Sequence, residues 1–142
     1  IFGMVQREMA QRITACEGSE NYGAMTVNLG YYFNTSECFV VPGDAFYPRP
    51  DVKSSFIKLE RKQRYFTDVK SESLFHEVVK SAFWGRRKTI LKSLADSPHM
   101  DLGRGMAGAI LEQCGIDSSA RGETLNLSAY IKLTEALIKN EK

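Results

Sequence analysis

At 142 residues the chain is long enough for one compact domain or for a piece of something larger. With 43% hydrophobic and 25% charged residues it excludes a low-complexity tract, and no apolar run approaches the ~20 residues of a membrane-spanning helix. The net charge of +2 hides an asymmetry: Lys53 to Ser93 holds eleven Lys and Arg against four Asp and Glu, a net of +7, which suits either a polyanion-binding surface or a Lys-rich solvated face.

Ile1 to Gln6 reads as a short buried strand, and Arg7 to Ala15 as a helix with Met9, Ala10 and Ile13 inward. Gly18 to Gly23 is loop chemistry. A second helix is expected over Met25 to Phe33, with Met25, Leu29, Tyr32 and Phe33 at helical spacing. Glu37 to Val41 is strand-like and stops at Pro42-Gly43. The two prolines of Phe46-Tyr47-Pro48-Arg49-Pro50 each lack an N–H and fix φ, so this segment is expected to be extended and rigid. Ser54 to Glu60 follows as a strand, with Ile57 and Leu59 on one face and Phe56 and Lys58 on the other.

Arg61 to Lys70 reads as a polar linker, and everything beyond it as helix. Leu74, Phe75, Val78, Val79, Ala82 and Phe83 form one apolar stripe. Continuing that helix through Gly85 would carry Arg86 onto the apolar face, where an unpaired charge is costly, so a break is expected there. A new helix then carries Ile90, Leu91 and Leu94. Another runs from about Met106 to Cys114, closed by Gly115, and the last begins near Ser128 as N-cap and ends in Lys139 and Lys142. The first part, three strands and two helices opening on a strand with no partner before it, does not enclose a core of its own. Together with a start at Ile1 rather than Met, this leads us to expect a piece of a longer chain, with the first strand left as an open edge prone to association.

Cys16, Cys38 and Cys114 are odd in number and widely spaced, which reads as buried free thiols in a reducing compartment. His76 and His99 have no second ligand at metal spacing, and no metal is expected. Gly103-Arg104-Gly105-Met106-Ala107-Gly108 has the G-x-G-x-x-G pattern, but no strand precedes it, so it reads as a flexible start to a helix rather than a dinucleotide cradle. Arg86-Arg87-Lys88 places three cations at a helix start, against the helix dipole. Either phosphate contacts offset that cost, or the segment is a solvated basic turn with Arg86 paired to a nearby carboxylate.

Several of these pieces, in this order, resemble the KsgA-type small-subunit rRNA adenine N6-dimethyltransferases. Met4-Val5-Gln6-Arg7-Glu8-Met9-Ala10-Gln11-Arg12, Tyr22-Gly23, Tyr31-Tyr32-Phe33, Val41-Pro42 through Ser54, Ala82-Phe83 with Arg86-Arg87-Lys88-Thr89, Gly115-Ile116-Asp117 and Arg121-Gly122-Glu123-Thr124-Leu125 all resemble family motifs. Ala24, where Arg is usual, Gly43 in place of a second proline, and the exchange of Asp51 and Lys53 depart from the pattern. A related class acting on large-subunit rRNA, the erythromycin-resistance methyltransferases, shares the proline motif but resembles the later segments less well.

The resemblance implies α/β plus all-α architecture: the C-terminal remnant of a Rossmann-like methyltransferase domain over residues 1–67, then a small helical RNA-docking domain over residues 68–142. It implies a target-base pocket with Phe46, Tyr47 and Pro48 on one wall, Phe46 packing on the extruded adenine; read from the residues alone, Phe46 and Tyr47 could equally be core aromatics. Arg86, Arg87, Lys88 and Lys92 are the expected RNA contacts. The family's Gly-rich S-adenosylmethionine loop and N-L-P-Y motif do not occur in this sequence. S-adenosylmethionine is therefore expected to serve the full-length enzyme, with no cofactor and no catalytic residue in this part. The expected partner is small-subunit rRNA in the pre-30S particle, in the cytoplasm, with no membrane. The other class of function the sequence allows is a non-enzymatic RNA-binding or ribosome-assembly module.

Overall fold

The computed structural model describes residues 1–85 and 87–140. The chain divides into two compact units, the first of Ile1–Cys16 with Glu20–Arg64, the second of Glu17–Ser19 with Tyr65–Lys142.

In the first unit, β1 (Phe2–Gln6) leads directly into α1 (Arg7–Ile13), and α2 (Ala24–Tyr32) leads directly into β2 (Phe33–Val41). A 3-10 turn, Gly43–Ala45, precedes β3 (Ser54–Arg61). The sheet is antiparallel in the order β1-β3-β2, so the last strand in sequence is the central one. Alternation along β3 divides the faces as the sequence predicts. Ile57 is buried beside Ala10 and Ile13, with Val5, Leu29 and Leu59 packed around them, while Phe56 faces the other way. The helices thus cover one face of the sheet only.

Several expectations need correction. β1 is not buried: it is an edge strand, exposed at every second residue. Met9 and Met25 are exposed, whereas Thr26, Val27 and Tyr31 are the buried residues of α2. That helix is apolar on nearly every side, so spacing alone cannot select its inner face. Phe33 belongs to β2, which starts four residues earlier than its Glu37 estimate. Asn34, Thr35 and Ser36 pair with Glu60, Leu59 and Lys58, and that pairing overrides the weak strand propensity of Asn34.

The second unit holds α3 (Val69–Ala82), α4 (Ile90–Asp96), α5 (Arg104–Gln113), a 3-10 turn at Gly122–Thr124, and α6 (Leu127–Asn140). Its core is continuous: Phe75, Val78, Val79, Ile90, Leu94, Ile110, Leu111, Tyr130 and Leu133 are all fully buried. The helix break falls where the charge argument puts it, between Ala82 and Ile90. The supposed linker is partly core, since Phe66 is buried with its ring 6.3 Å from that of Phe75. One aromatic in a polar run gives no periodicity to detect. The Asp68 carboxylate caps α3 by accepting from the Ser71 N–H at 2.9 Å, so the helix starts before Lys70.

Gly115, with φ +69, closes α5, its own N–H donating to the Glu112 carbonyl and that of Ile116 to the Leu111 carbonyl. α6 is capped not by Ser128 but by Asn126, whose Oδ1 accepts from the Ala129 N–H at 2.9 Å. Lys142, expected near its end, lies outside the described residues. The cysteines also differ from expectation: Cys16 and Cys38 are exposed and Cys114 is half-buried. Cys38 falls at the bulge of β2 between Glu37 and Phe39, which turns it out of the ladder.

Candidate RNA-binding site

The sequence-predicted site residues fall in two places, one in each unit. In the first unit, Pro42 and the Gly43–Ala45 turn deliver Phe46 in an extended conformation, φ −117 and ψ 154. Beyond Phe46 the segment bends at Tyr47-Pro48 and again at Asp51-Val52 rather than running straight, and the Tyr47–Pro48 peptide is cis. A proline-rich segment can be stiff without being linear, because each ring fixes only its own φ. Gly43 has a local reason: a Cβ there would sit 3.0 Å from the Pro50 carbonyl oxygen. Lacking one, the loop closes tightly across its base.

Phe46 is half-buried and Pro48 exposed, and Tyr47 is 102% exposed. Tyr47 is therefore not a core aromatic. An exposed ring of this kind, on a segment anchored by a half-buried neighbour, can stack on a flat partner with little ordering cost.

In the second unit, residues 83–85 and 87–88 form the described part of the turn between α3 and α4. It is tied down by the Lys88 N–H donating to the Gly85 carbonyl at 3.0 Å and by the Ser93 hydroxyl donating to the same oxygen at 3.4 Å. Thr89 caps α4, its Oγ1 accepting from the Lys92 N–H at 3.3 Å. Arg86 lies outside the described residues. Arg87 and Lys92 are exposed. Lys88 is engaged: its Nζ lies 3.4 Å from Asp96 Oδ2, and its stem packs over Gly85, where a Cβ would come within 2.6 Å of it. Arg87 is thus the least committed described cation of the turn. The Lys88–Asp96 pair is on the surface and weak, so a phosphate could compete for it.

Sequence reasoning missed the clamp that holds this turn's neighbourhood. Tyr130, wholly buried, donates its hydroxyl to the Gly122 carbonyl at 2.5 Å. A Cβ on Gly122 would lie 2.7 Å from the Ala82 carbonyl oxygen, at the end of α3. The Arg121-Gly122-Glu123-Thr124-Leu125 segment is therefore a packing element, and its glycine permits a close backbone approach. Tyr65 likewise donates its hydroxyl to the Glu135 carboxylate, which pushes the phenol above its ordinary range.

The G-x-G-x-x-G stretch does not have the setting of a methyl-donor cradle. Gly103 of the G-x-G-x-x-G stretch is the N-cap of α5, with φ +66, and irregular chain rather than a strand precedes it. The three strands of the sheet are all antiparallel, so among the described residues no strand–glycine turn–helix unit exists to cradle the donor. Also among the described residues, no group of three His, Cys, Asp or Glu could hold a metal ion, and no helix is long and apolar enough to cross a membrane.

Among the described residues, this α/β arrangement of six helices and a three-stranded sheet has the fold of rRNA-modifying methyltransferases. A dimethyladenosine transferase from Plasmodium falciparum superposes with a TM-score of 0.83 at 20% identity, over 99% of this chain and 57% of that one. The 23S rRNA methyltransferase ErmE does so with 0.67 at 22%, over 96% and 54%. More particularly, the chain belongs to the ribosomal RNA adenine dimethylase family, whose model matches residues 1–133. It is 39% identical over 135 residues to the ribosomal RNA small subunit methyltransferase A of Pelotomaculum thermopropionicum, covering 95% of this chain and 45% of that protein. Its identity to the Clostridium botulinum protein of the same name is 40% over 134 residues, covering 94% and 48%. The chain thus spans about half the length of the curated relatives it matches.

Proposed function

We propose that this chain is part of an S-adenosylmethionine-dependent small-subunit rRNA adenine N6-dimethyltransferase that acts in ribosome biogenesis in the cytoplasm. The observation that carries the reading is the family match across residues 1–133. In this reading residues 1–67 are the C-terminal part of the Rossmann-like methyltransferase domain, and residues 68–142 are a helical domain that docks on rRNA of the pre-30S particle.

The roles divide by chemistry. An adenine taken out of its stack needs a substitute π-surface, and Phe46, Tyr47 and Pro48 supply one wall of that pocket. Arg87 and Lys92, with Arg86 and with Lys88 once it leaves Asp96, contact phosphates. The exocyclic amine of adenine has its lone pair delocalised into the ring, so methyl transfer depends on alignment and hydrogen bonds supplied with the donor site. No such cradle for that donor exists among the described residues, so the chain alone binds rRNA without methylating it.

The test is competition. Unmodified small ribosomal subunits are incubated with radiolabelled S-adenosylmethionine and the full-length Clostridium botulinum relative, with this chain added in rising excess. The expected result is concentration-dependent loss of methyl incorporation, and none when this chain is the sole protein. Incorporation by the chain alone would sink the division of labour. Undiminished incorporation at the highest excess would sink the docking role.

A further inference from the structure

The helical unit carries a groove that neither its core nor the turn before α4 uses. Two open depressions, of about 660 and 340 Å³, share Leu74 and Glu77 of α3. The larger follows α3 from its N-cap Asp68 to Glu77 and is bounded by Ile138 of α6. That stretch of helix is about 13 Å long. The smaller continues from Leu74 past Leu137 of α6 to Met100, Leu102 and Met106, in the loop before α5 and its first turn. His99 also lines it, and Trp84 rests edge-on against His99 at 5.7 Å. Two large apolar side chains stand open here, Trp84 at 49% exposed and Met106 at 45%.

The groove combines an apolar floor with acidic walls. Leucine and methionine give adaptable contact surface, and Trp and Met are the residue types that interfaces favour. Among the described lining residues, Asp68, Glu77 and Asp101 stand against Lys70 alone. The Asp68 carboxylate is committed to the α3 cap. Glu77 and Asp101 are exposed and hold no cation among the described residues. Two carboxylates beside the floor repel phosphate, so rRNA is not what fits here. Lys or Arg side chains on either side of apolar ones match both features at once.

We propose that this groove docks a basic amphipathic segment of another protein, lying along α3. Its apolar side chains enter over Leu74, Met100 and Met106, and its Lys or Arg residues meet Glu77 and Asp101. The argument for this occupant is charge complementarity on an apolar floor, the pattern by which an amphipathic segment is read in a groove. Proteins seated on a polyanion carry Lys and Arg to neutralise phosphate, so a neighbour on the same RNA has the complementary charge. That last step rests on the proposed function; binding of such a segment by the groove does not.

The probe is a fluorescein-labelled peptide of about 14 residues with Leu at i, i+3, i+4 and i+7 and Lys between. Its anisotropy is followed on titration with this chain, together with the emission of Trp84 beside His99. The expected result is saturable binding on the order of 10 µM or tighter, with a shifted Trp84 emission. Glu77→Lys with Asp101→Lys is expected to weaken binding by about tenfold or more, and Met106→Ser by severalfold. Glu20→Lys with Glu112→Lys changes the net charge equally but away from the groove, and is expected to leave affinity within about twofold. Circular dichroism checks that every variant keeps its helices. Binding that does not saturate overturns the proposal, as does equal affinity of the two charge-reversed proteins, or of a peptide with Ser in place of Leu. A native chain that sediments as a dimer and dissociates on Met106→Ser also overturns it, since the occupant is then a second copy. Loss of rRNA binding in Met106→Ser does the same, because the groove then belongs to the RNA contact. Peptide bound as expected by a chain that does not bind rRNA counts against the proposed function alone.

Discussion

The two units differ in how far each encloses its own apolar residues. In the helical unit nine large side chains, Phe75 and Tyr130 among them, are fully buried on several sides by α3, α4, α5 and α6. In the sheet unit Ala10, Ile13, Tyr22, Val27, Tyr31 and Ile57 are buried, with Val5, Leu29 and Leu59 half-buried around the Ala10–Ile13–Ile57 cluster, while on the opposite face of the sheet Phe2 and Phe39 are exposed beside half-buried Phe56. The difference lies in closure: the helices bury their apolar stripes against one another, whereas the antiparallel sheet is packed on one face and open on the other.

Core truncation sharpens this contrast most. Phe75→Ala is expected to cost about 3–5 kcal/mol, since a fully enclosed site cannot collapse. Ile57→Ala should fall near the lower end for such changes, about 2 kcal/mol, because the thin cluster around it can relax. Trp84, the single tryptophan, lies in the helical unit, so its fluorescence in a urea titration reports that unit. The expected outcome is a large shift of the fluorescence midpoint for Phe75→Ala and none for Ile57→Ala. Equal shifts would break the comparison.

Gly122→Ala comes next. Its new Cβ meets a backbone oxygen rather than a movable side chain, so about 1–3 kcal/mol of overpacking is expected in the same titration. The smallest effect concerns acid. The Ser71 backbone N–H, donating to the Asp68 carboxylate, holds that group below its ordinary 3.8. A lowered folded-state value means the contribution is present above 3.8 and is lost as pH falls through the folded value. Asp68→Asn keeps a capping acceptor but has no proton to take up, so its melting temperature should fall less steeply with acid than that of the native chain.

Much of this arrangement was legible in the sequence where a local rule decides it. The Gly85 break follows from the cost of burying Arg86, the Gly115 closure from a helix end that needs positive φ, and the two faces of β3 from strict alternation. What was not legible depends on partners distant in the chain. Phe66 is core only because α3 passes over it, β2 starts early only because β3 extends to Arg61, and the Gly122 clamp exists only where α3 ends beside Tyr130. At the candidate site the sequence and its resemblance marked Phe46, Tyr47, Pro48, Arg86, Arg87, Lys88 and Lys92, of which Arg86 lies outside the described residues. Neither could reveal that Tyr47 projects freely or that Lys88 is held by Asp96. The Phe2–Phe56–Phe39 row left a trace in the alternation of Phe56 with Ile57, but its three members come together only through strand order.

The central claim proposed is that the helical unit docks on rRNA phosphates through the turn before α4 and the first turn of that helix. A salt titration of a fluorescent small-subunit rRNA fragment, comparing the native chain with the Arg87→Ala, Lys92→Ala double variant, tests it most directly. Each phosphate contact adds about 0.7–0.9 to the slope of log affinity against log salt. The account predicts weaker binding of the double variant to many RNA sequences alike and a slope shallower by roughly two contacts. The same affinity and the same slope for both proteins would show that these cations only face solvent, and would contradict it.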